Sequence, residues 1–315
     1  MSNLARSQIL AGTASALIAA PRIVRAQTLE TIHLCAPPTD DLTPVFWAIK
    51  NRSYQKVGLD VQFVPMTSGT AAATAVISGT YELGKGSLIA LLLAHLKKLP
   101  ITIVGNSSLW EDKNPWAGLV FAADTTLATG ADLNGKILGT PALNDIATLA
   151  TSVWVDRNGG DASTLKWVEI PGSAAGAAAA THRVAASYCG EPQMEAALET
   201  GNVKALLSIL GAIAPSYAVS AFFAQPDWAK TNAGAVARFM RVTYNTAAYT
   251  NTHPTETVST VSEITKIPLP ITQKMTRVHS ATSTEPAIIQ PVIDVAAKYS
   301  YLTRAFPAEE LYFRA

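Results

Sequence analysis

Strand and helix signals alternate along the first hundred residues of this chain, and that alternation restricts its fold more than any single motif. "LETIHLC" (29–35) reads as a strand running into the Pro-rich turn "APPTDDLTP". "PVFWAIKNRSYQKVG" places Val45, Ile49 and Tyr54 at roughly helical spacing, with Gly58 as its stop. "LDVQFVPM" is a second strand. Thr67 and Ser68 then cap an alanine-rich helix that runs to Gly79. "YELGKGS" reads as a short strand and loop, "LIALLLAHLKKL" as a buried helix and "PITIVGNSS" as a further strand. A β-α-β-α-β order predicts a parallel sheet with helices on its faces.

The pattern restarts after "WEDKNPWA". "GLVFAAD" and "KILGTPA" read as strands, and "NDIATLATSVWVDRNGG" as a helix capped by Asn144 or Asp145 and ended by Gly159-Gly160. "LKWVEIP", "ASYCGEP" and "VKALLSIL" are strands separated by the helices "GSAAGAAAATHRVA" and "QMEAALETG". "SYAVSAFFAQPDW" reads as one more strand, and the remainder is mostly helical, broken by prolines and Thr/Ser loops. No repeat of fixed period and no low-complexity linker interrupts this order.

The first 26 residues carry a basic residue at Arg6, an apolar run from Ile9 to Ala20 and a small-residue end, Val24-Arg25-Ala26. That layout is an export signal, too short in its apolar part to span a bilayer. "RSQILAG" is similar to a twin-arginine signal with Ser7 in place of the second arginine, so a twin-arginine-like or a Sec route both fit. A periplasmic location is expected. Of the 24 basic residues, the signal's three leave 21 against 23 acidic ones. Such near-neutrality leaves no footprint for nucleic acid or an anionic membrane. Cys35 and Cys189 are too few for a disulfide scaffold and read as free thiols. "TIHLC" lacks the small residues that precede a lipid-anchored cysteine.

"GLDVQFVPMTSGTAAATAVISGTYELGKGS", "LLLAHLKKLPITIVG", "ADLNGKILGTPALNDIATLA", "CGEPQMEAALETG" and "FMRVTYNTAAYTNTHP" are each weak alone. In this order and spacing the chain resembles the periplasmic solute-binding proteins of ABC importers, in the group that handles nitrate, sulfonates, taurine and thiamine-precursor pyrimidines. The resemblance implies an α/β, two-lobed periplasmic binding protein fold of type II, with two crossover strands and a ligand cleft between the lobes. Lobe one is expected at 27–117 plus 219–315, and lobe two at 118–218. The implied partners are a small-molecule ligand and an ABC permease with its ATPase; a monomer without cofactor is expected. Family members often carry Gly-Arg-Val-Asp-Ala before the Glu-Pro motif. Here His182-Arg183-Val184-Ala185-Ala186 lacks the aspartate, which puts any role of that residue in ligand contact in question.

A cleft ligand needs backbone N–H groups at helix starts and adaptable side chains at strand ends. Ser68, Gly69 and Thr70 fit, although a helix cap alone explains Ser68 equally well. Lys85, Gly86 and Ser87 raise the same choice: an anion contact or a solvated lysine. Thr39 and Asp40, with Asp41, sit in the first loop of lobe one. Asn144 and Asp145 start a helix of lobe two, and Asp145 opposes an anion and favours an amine or hydroxyl donor. Trp110 offers a flat surface to a ligand or packs at the lobe junction. Glu191 follows Cys189 at a strand end.

Cys189, Glu191 and His182 also pose a catalytic reading. A cysteine nucleophile needs an adjacent base and a lowered pKa, and nothing near Cys189 resembles a helix N-terminus. The five histidines are dispersed, without metal-ligand spacing. The family's enzymatic relative, a yeast-type pyrimidine synthase that consumes its own cofactor and histidine, carries a cysteine-rich motif missing here. Neither a catalytic residue nor a metal ligand is assigned, and Cys189 is expected in a pocket wall or core.

Overall fold

The computed structural model describes residues 28–314, so the export-signal reading of residues 1–26 lies outside the described residues. The chain enters through β1 (Glu30–Ala36), α1 (Thr43–Lys50), β2 (Leu59–Pro65), α2 (Gly69–Ile77), β3 (Leu83–Ser87), α3 (Leu88–Leu96) and β4 (Thr102–Asn106). It leaves through β5 (Ser108–Glu111) and builds β6 (Ala117–Ala122), β7 (Ile137–Thr140), α4 (Ile146–Arg157), β8 (Lys166–Glu169), α5 (Gly172–Ala180), β9 (Ala186–Gly190), α6 (Gln193–Leu198) and β10 (Val203–Leu206). It returns through β11 (Ser216–Ala218) to β12 (Ser220–Ala224). The helices α7 (Pro226–Thr231), α8 (Ala233–Thr252), α9 (Pro254–Thr265) and α10 (Leu269–Thr272), the short β13 (His279–Ser280) and α11 (Gln290–Lys298) complete it.

Two five-stranded sheets result, in the orders β2-β1-β3-β12-β4 and β10-β6-β9-β7-β8. Between them lies a three-stranded sheet, β11-β5-β13. The two crossover strands are therefore β5 and β11, paired antiparallel with Trp110 opposite Tyr217. Burial explains which segments became strands. Every residue of β4, β6 and β12 is buried, as expected of strands covered on both faces. In α4, all residues from Ile146 to Val155 are buried, so that helix is enclosed rather than amphipathic. One apolar cluster runs from α2 and α3 through Trp110, Trp116 and Tyr217 into α4, β6 and β9. A second cluster packs α1 and α8 on the other face of the first sheet. A third seats α5 and α6 on the second sheet.

Three expectations are corrected. The sheets are mixed, because β12 arrives from the far lobe and inserts antiparallel between β3 and β4, and β6 runs antiparallel to β9 and β10. The segment 216–228, read as one strand, is two, since the chain steps at Val219 from the connecting sheet into the first sheet. "GKGS" is strand rather than loop: its lysine stands in β3 opposite Phe222 of β12.

Candidate functional site

The strand ends and helix starts of both lobes converge between the two sheets. Thr39, Asp40 and Asp41 sit where β1 turns into α1, and their donors come from near and from distant parts of the chain. Thr39 Oγ1 donates to Asp41 Oδ1 at 2.6 Å. Asp40 accepts from Thr43 Oγ1 at 2.8 Å, from Arg277 Nε at 3.1 Å and from the Val278 N–H at 2.7 Å. With Arg277 also at 3.0 Å through its Nη2, Asp40 ties the segment after α10 to the first loop. Its acceptors are thereby engaged within lobe one.

Lys85 extends from β3 to form a buried ion pair with Asp41, both side chains being under a tenth exposed. Burial alone would raise the Asp41 carboxyl, but Lys85, Thr39 and Ser220 outweigh it and hold it below its ordinary value. Ser220 Oγ donates to Asp41 at 3.2 Å and lies 2.6 Å from Ser108 Oγ. The ion pair is thus connected by hydroxyls to β12 and β5. Lys85 can approach because the turn before α2 packs directly on β3: a Cβ on Gly69 would fall 2.8 Å from the Gly86 Cα.

From lobe two, Asp145 caps α4. Its Oδ1 accepts from the Ile146 N–H at 2.6 Å, and Thr148 Oγ1 closes the capping box by accepting the Asp145 N–H at 3.0 Å. Across the lobe boundary its carboxyl faces Ser87 and Lys85. Ser87 Oγ is buried beside it without a hydrogen bond of good geometry. Burial raises the Asp145 carboxyl, against the lowering effects of Ser87, the Ile146 N–H and Lys85. Glu191 follows β9 and is only 3% exposed. It accepts the Glu195 N–H at 3.0 Å and faces the Thr276 N–H and Asp40 of lobe one. Burial first, then the charges of Glu195 and Asp40, push its carboxyl up to about 7 in spite of the two backbone donors. Tyr188 stands in β9 on the side away from Cys189. Burial, and then the nearby Asp145 and Asp41, raise its phenol.

The arrangement is a two-sided, largely buried cluster of polar side chains from both lobes. The NMT1/THI5 like family matches residues 39–257, more than half of the 315-residue chain.

The chain belongs to that family.

No curated protein matches it by sequence. Solved structures share its fold at low identity. The alkanesulfonate-binding protein SsuA from Xanthomonas axonopodis pv. citri, bound to MOPS, superposes with a TM-score of 0.74 at 15% identity, covering 90% of this chain and 98% of that one. The periplasmic nitrate-binding protein NrtA from Synechocystis PCC 6803 gives 0.75 at 14% identity, covering 90% and 84%. The ligand-binding component of an ABC-type import system from Staphylococcus aureus, with zinc bound, gives 0.78 at 12% identity, covering 90% and 96%.

In this member of the NMT1/THI5 like family, Lys85 and Ser87 meet Asp145 between the lobes, with Gly69 and Gly86 in close approach, while Glu191 faces Asp40 and the Thr276 N–H. Ser68 caps α2 by accepting the Ala71 N–H at 3.2 Å, while Thr70 and Asn144 are exposed. Trp110 is buried where β5 pairs with β11. Its Nε1 donates to Asp112 at 2.8 Å, its ring lies edge-on to Trp116, and it lines a groove of about 430 Å³ with Trp154, Arg157 and Ala212. Ala185 immediately precedes β9, at the end opposite Glu191, and lines a groove with Thr125 and His182. Its missing carboxylate therefore bears on the lobe-two surface, not on the cleft. Tyr188 and Arg277 escaped the sequence reading. Period-two alternation through β9 was the available signal for Tyr188, since it puts tyrosine and cysteine on opposite faces.

The Cys–His pairing does not form. His182 lies at an exposed turn near Asp124, at 3.3 Å, whereas Cys189 is fully buried with its Sγ near the Gly172 carbonyl at 3.6 Å. Burial, then Glu191, raises the Cys189 thiol well above its ordinary value. Under native conditions Cys189 should resist maleimide and react only on unfolding. Labelling at the rate of a free thiol would show that it opens to solvent. Among the described residues, no group of three or more His, Cys, Asp or Glu is placed to hold a metal ion. No helix among them is long and apolar enough to cross a membrane.

Proposed function

We propose that this chain is the exported, extracytoplasmic substrate-binding component of an ABC importer, with lobe one at 27–117 plus 219–315 and lobe two at 118–218. It captures a small organic molecule in the cleft, closes over it by rotation about β5 and β11, and delivers it to a permease and its ATPase. One observation carries this reading. Polar side chains of the two lobes face one another although only the connecting sheet joins their sheets: Asp145 faces Ser87 and Lys85, Tyr188 lies near Asp41, and Glu191 faces Asp40 and the Thr276 N–H.

The test is small-angle scattering and thermal unfolding of the purified chain with sulfonates, carboxylates, amines and pyrimidines. A true ligand contracts the particle and raises Tm progressively with concentration. If no class does either, while a thiol-directed substrate analogue labels Cys189, the enzyme reading replaces this one. A permease and ATPase encoded beside the gene would separate import from presentation to a receptor.

A further inference from the structure

We infer that residues 274–278 form a strap that fastens lobe two to lobe one outside the hinge, and that the cleft opens only as this strap lets go. The inference rests on the hinge-rotation reading above and names the contact that rotation must break.

The strap begins at α10. That helix packs on α9, which packs on α1 over the first sheet. It also meets α6, which lies on β6, β9 and β10 of the second sheet. The two helices thus touch across the lobe boundary without either crossover strand. Thr272, Met275 and Val278 are buried, while Gln273 and Lys274 stay exposed. Lys274 reaches over to Glu199 at the end of α6, its Nζ standing 2.6 Å from Oε1. Two residues on, the Thr276 N–H faces the Glu191 carboxyl just after β9. The side chains of Lys274 and Glu199 are 57% and 37% exposed, so their ion pair contributes little alone. It adds orientation to a contact made chiefly by packing.

The far end of the strap is anchored in lobe one and in the hinge. Arg277 pairs with Asp40 at 3.0 Å and donates to the Pro254 carbonyl at 2.7 Å. Its own carbonyl accepts from Asn114 Nδ2 at 2.9 Å, and the Val278 N–H donates to Asp40 at 2.7 Å. Directly after it, β13 joins the connecting sheet, with His279 opposite Leu109 and Ser280 opposite Ser108. Only four residues, 275 to 278, separate the Lys274–Glu199 bridge from that sheet. A segment this short has little slack, since a chain spans at most about 3.3–3.6 Å per residue. With Arg277 held, it cannot follow α6 outward. Rotation about β5 and β11 that carries α6 away from α10 therefore breaks the contacts of Lys274 and Thr276 with lobe two.

The test is a charge swap read by hydrogen exchange on the full chain. Glu199→Lys sets an ammonium against Lys274, and Lys274→Glu/Glu199→Lys restores the pair in reverse. Exchange in the peptide covering 273–278 should quicken about tenfold in Glu199→Lys, because an exposed attraction becomes a repulsion of similar size. Corrected for the intrinsic rate of the altered residue, the double variant should recover most of the parental protection. A mere disturbance of α6 would not be rescued in this way. Lys274→Cys/Glu199→Cys, treated with bis-maleimidoethane, should cross-link within the chain almost completely; Cys35 and Cys189 are buried and do not compete. Parental exchange in Glu199→Lys, no recovery in the double variant, or failure to cross-link would each overturn the strap. None of these readouts uses a ligand. If they come out as expected while methanesulfonate, butyrate, butylamine and cytosine change neither Tm nor particle size, the strap stands and the binding reading fails.

Discussion

Lys85→Met is expected to cost about 3–5 kcal/mol of folding stability, the largest single loss at this site. The side chains of Lys85 and Asp41 are 5% and 7% exposed, so removing the ammonium leaves a carboxylate buried without its countercharge. The remaining donors, Thr39 and Ser220, are neutral hydroxyls and cannot replace it. Asp41→Asn combined with Lys85→Met should recover most of the loss, because a buried pair replaced whole is often near neutral. Urea unfolding of the four proteins in the cycle measures this directly. The sign with pH follows from the depressed Asp41 carboxyl. Its contribution is present above the ordinary carboxylate range and disappears as pH falls through the lowered value. The single variant's deficit should therefore shrink in acid. Strictly additive single effects, with no recovery in the double variant, would mean that Lys85 and Asp41 act independently.

Glu191→Gln is expected to give the second largest effect, and of opposite sign. Burial pushes the Glu191 carboxyl from its ordinary 4.5 up to about 7. Between those values the folded form holds a proton that the unfolded chain has released. Stability then falls as pH rises through that window, and the penalty is complete above about pH 7. Its upper bound is about 3 kcal/mol. The glutamine variant should match the parent near pH 4 and exceed it increasingly towards pH 8, with a Tm gap of several degrees. Parallel Tm profiles for parent and variant across that range would disprove the shift.

Much of this architecture was legible from periodicity. The β-α-β alternation located both sheets, and the Ser68 and Asp145 caps appear in the structure as helix starts. The antiparallel insertion of β12 was not legible, because a five-residue apolar strand carries no mark of its direction or its neighbours. The connecting sheet was hidden for a related reason: β11 and β13 have three and two residues, too few for any period to show. At the site, Asp145 and Glu191 could be picked out because they stand at a helix start and a strand end, and Lys85 because it is a charge in a short glycine-flanked strand segment. Arg277 could not, since it lies in an irregular segment and gains its partner Asp40 from the other end of the chain. What pairs with what across the lobes is a property of the tertiary fold, and a single sequence does not encode it as local pattern.

The position of β12 has a consequence for how the molecule is made. β3 and β4 share no hydrogen bonds; the strand between them is made only after all of lobe two. A growing chain that has reached Asn106 therefore holds four strands of the first sheet with a gap where Ala221, Phe222 and Phe223 belong. Those residues include two of the largest fully buried side chains, so the gap is also a breach in the core. The first lobe cannot finish folding in the order in which it is synthesised. Its closure waits on a contact distant in sequence, the kind that slows folding, and keeps the amino-terminal half loosely organised until residue 224 has emerged.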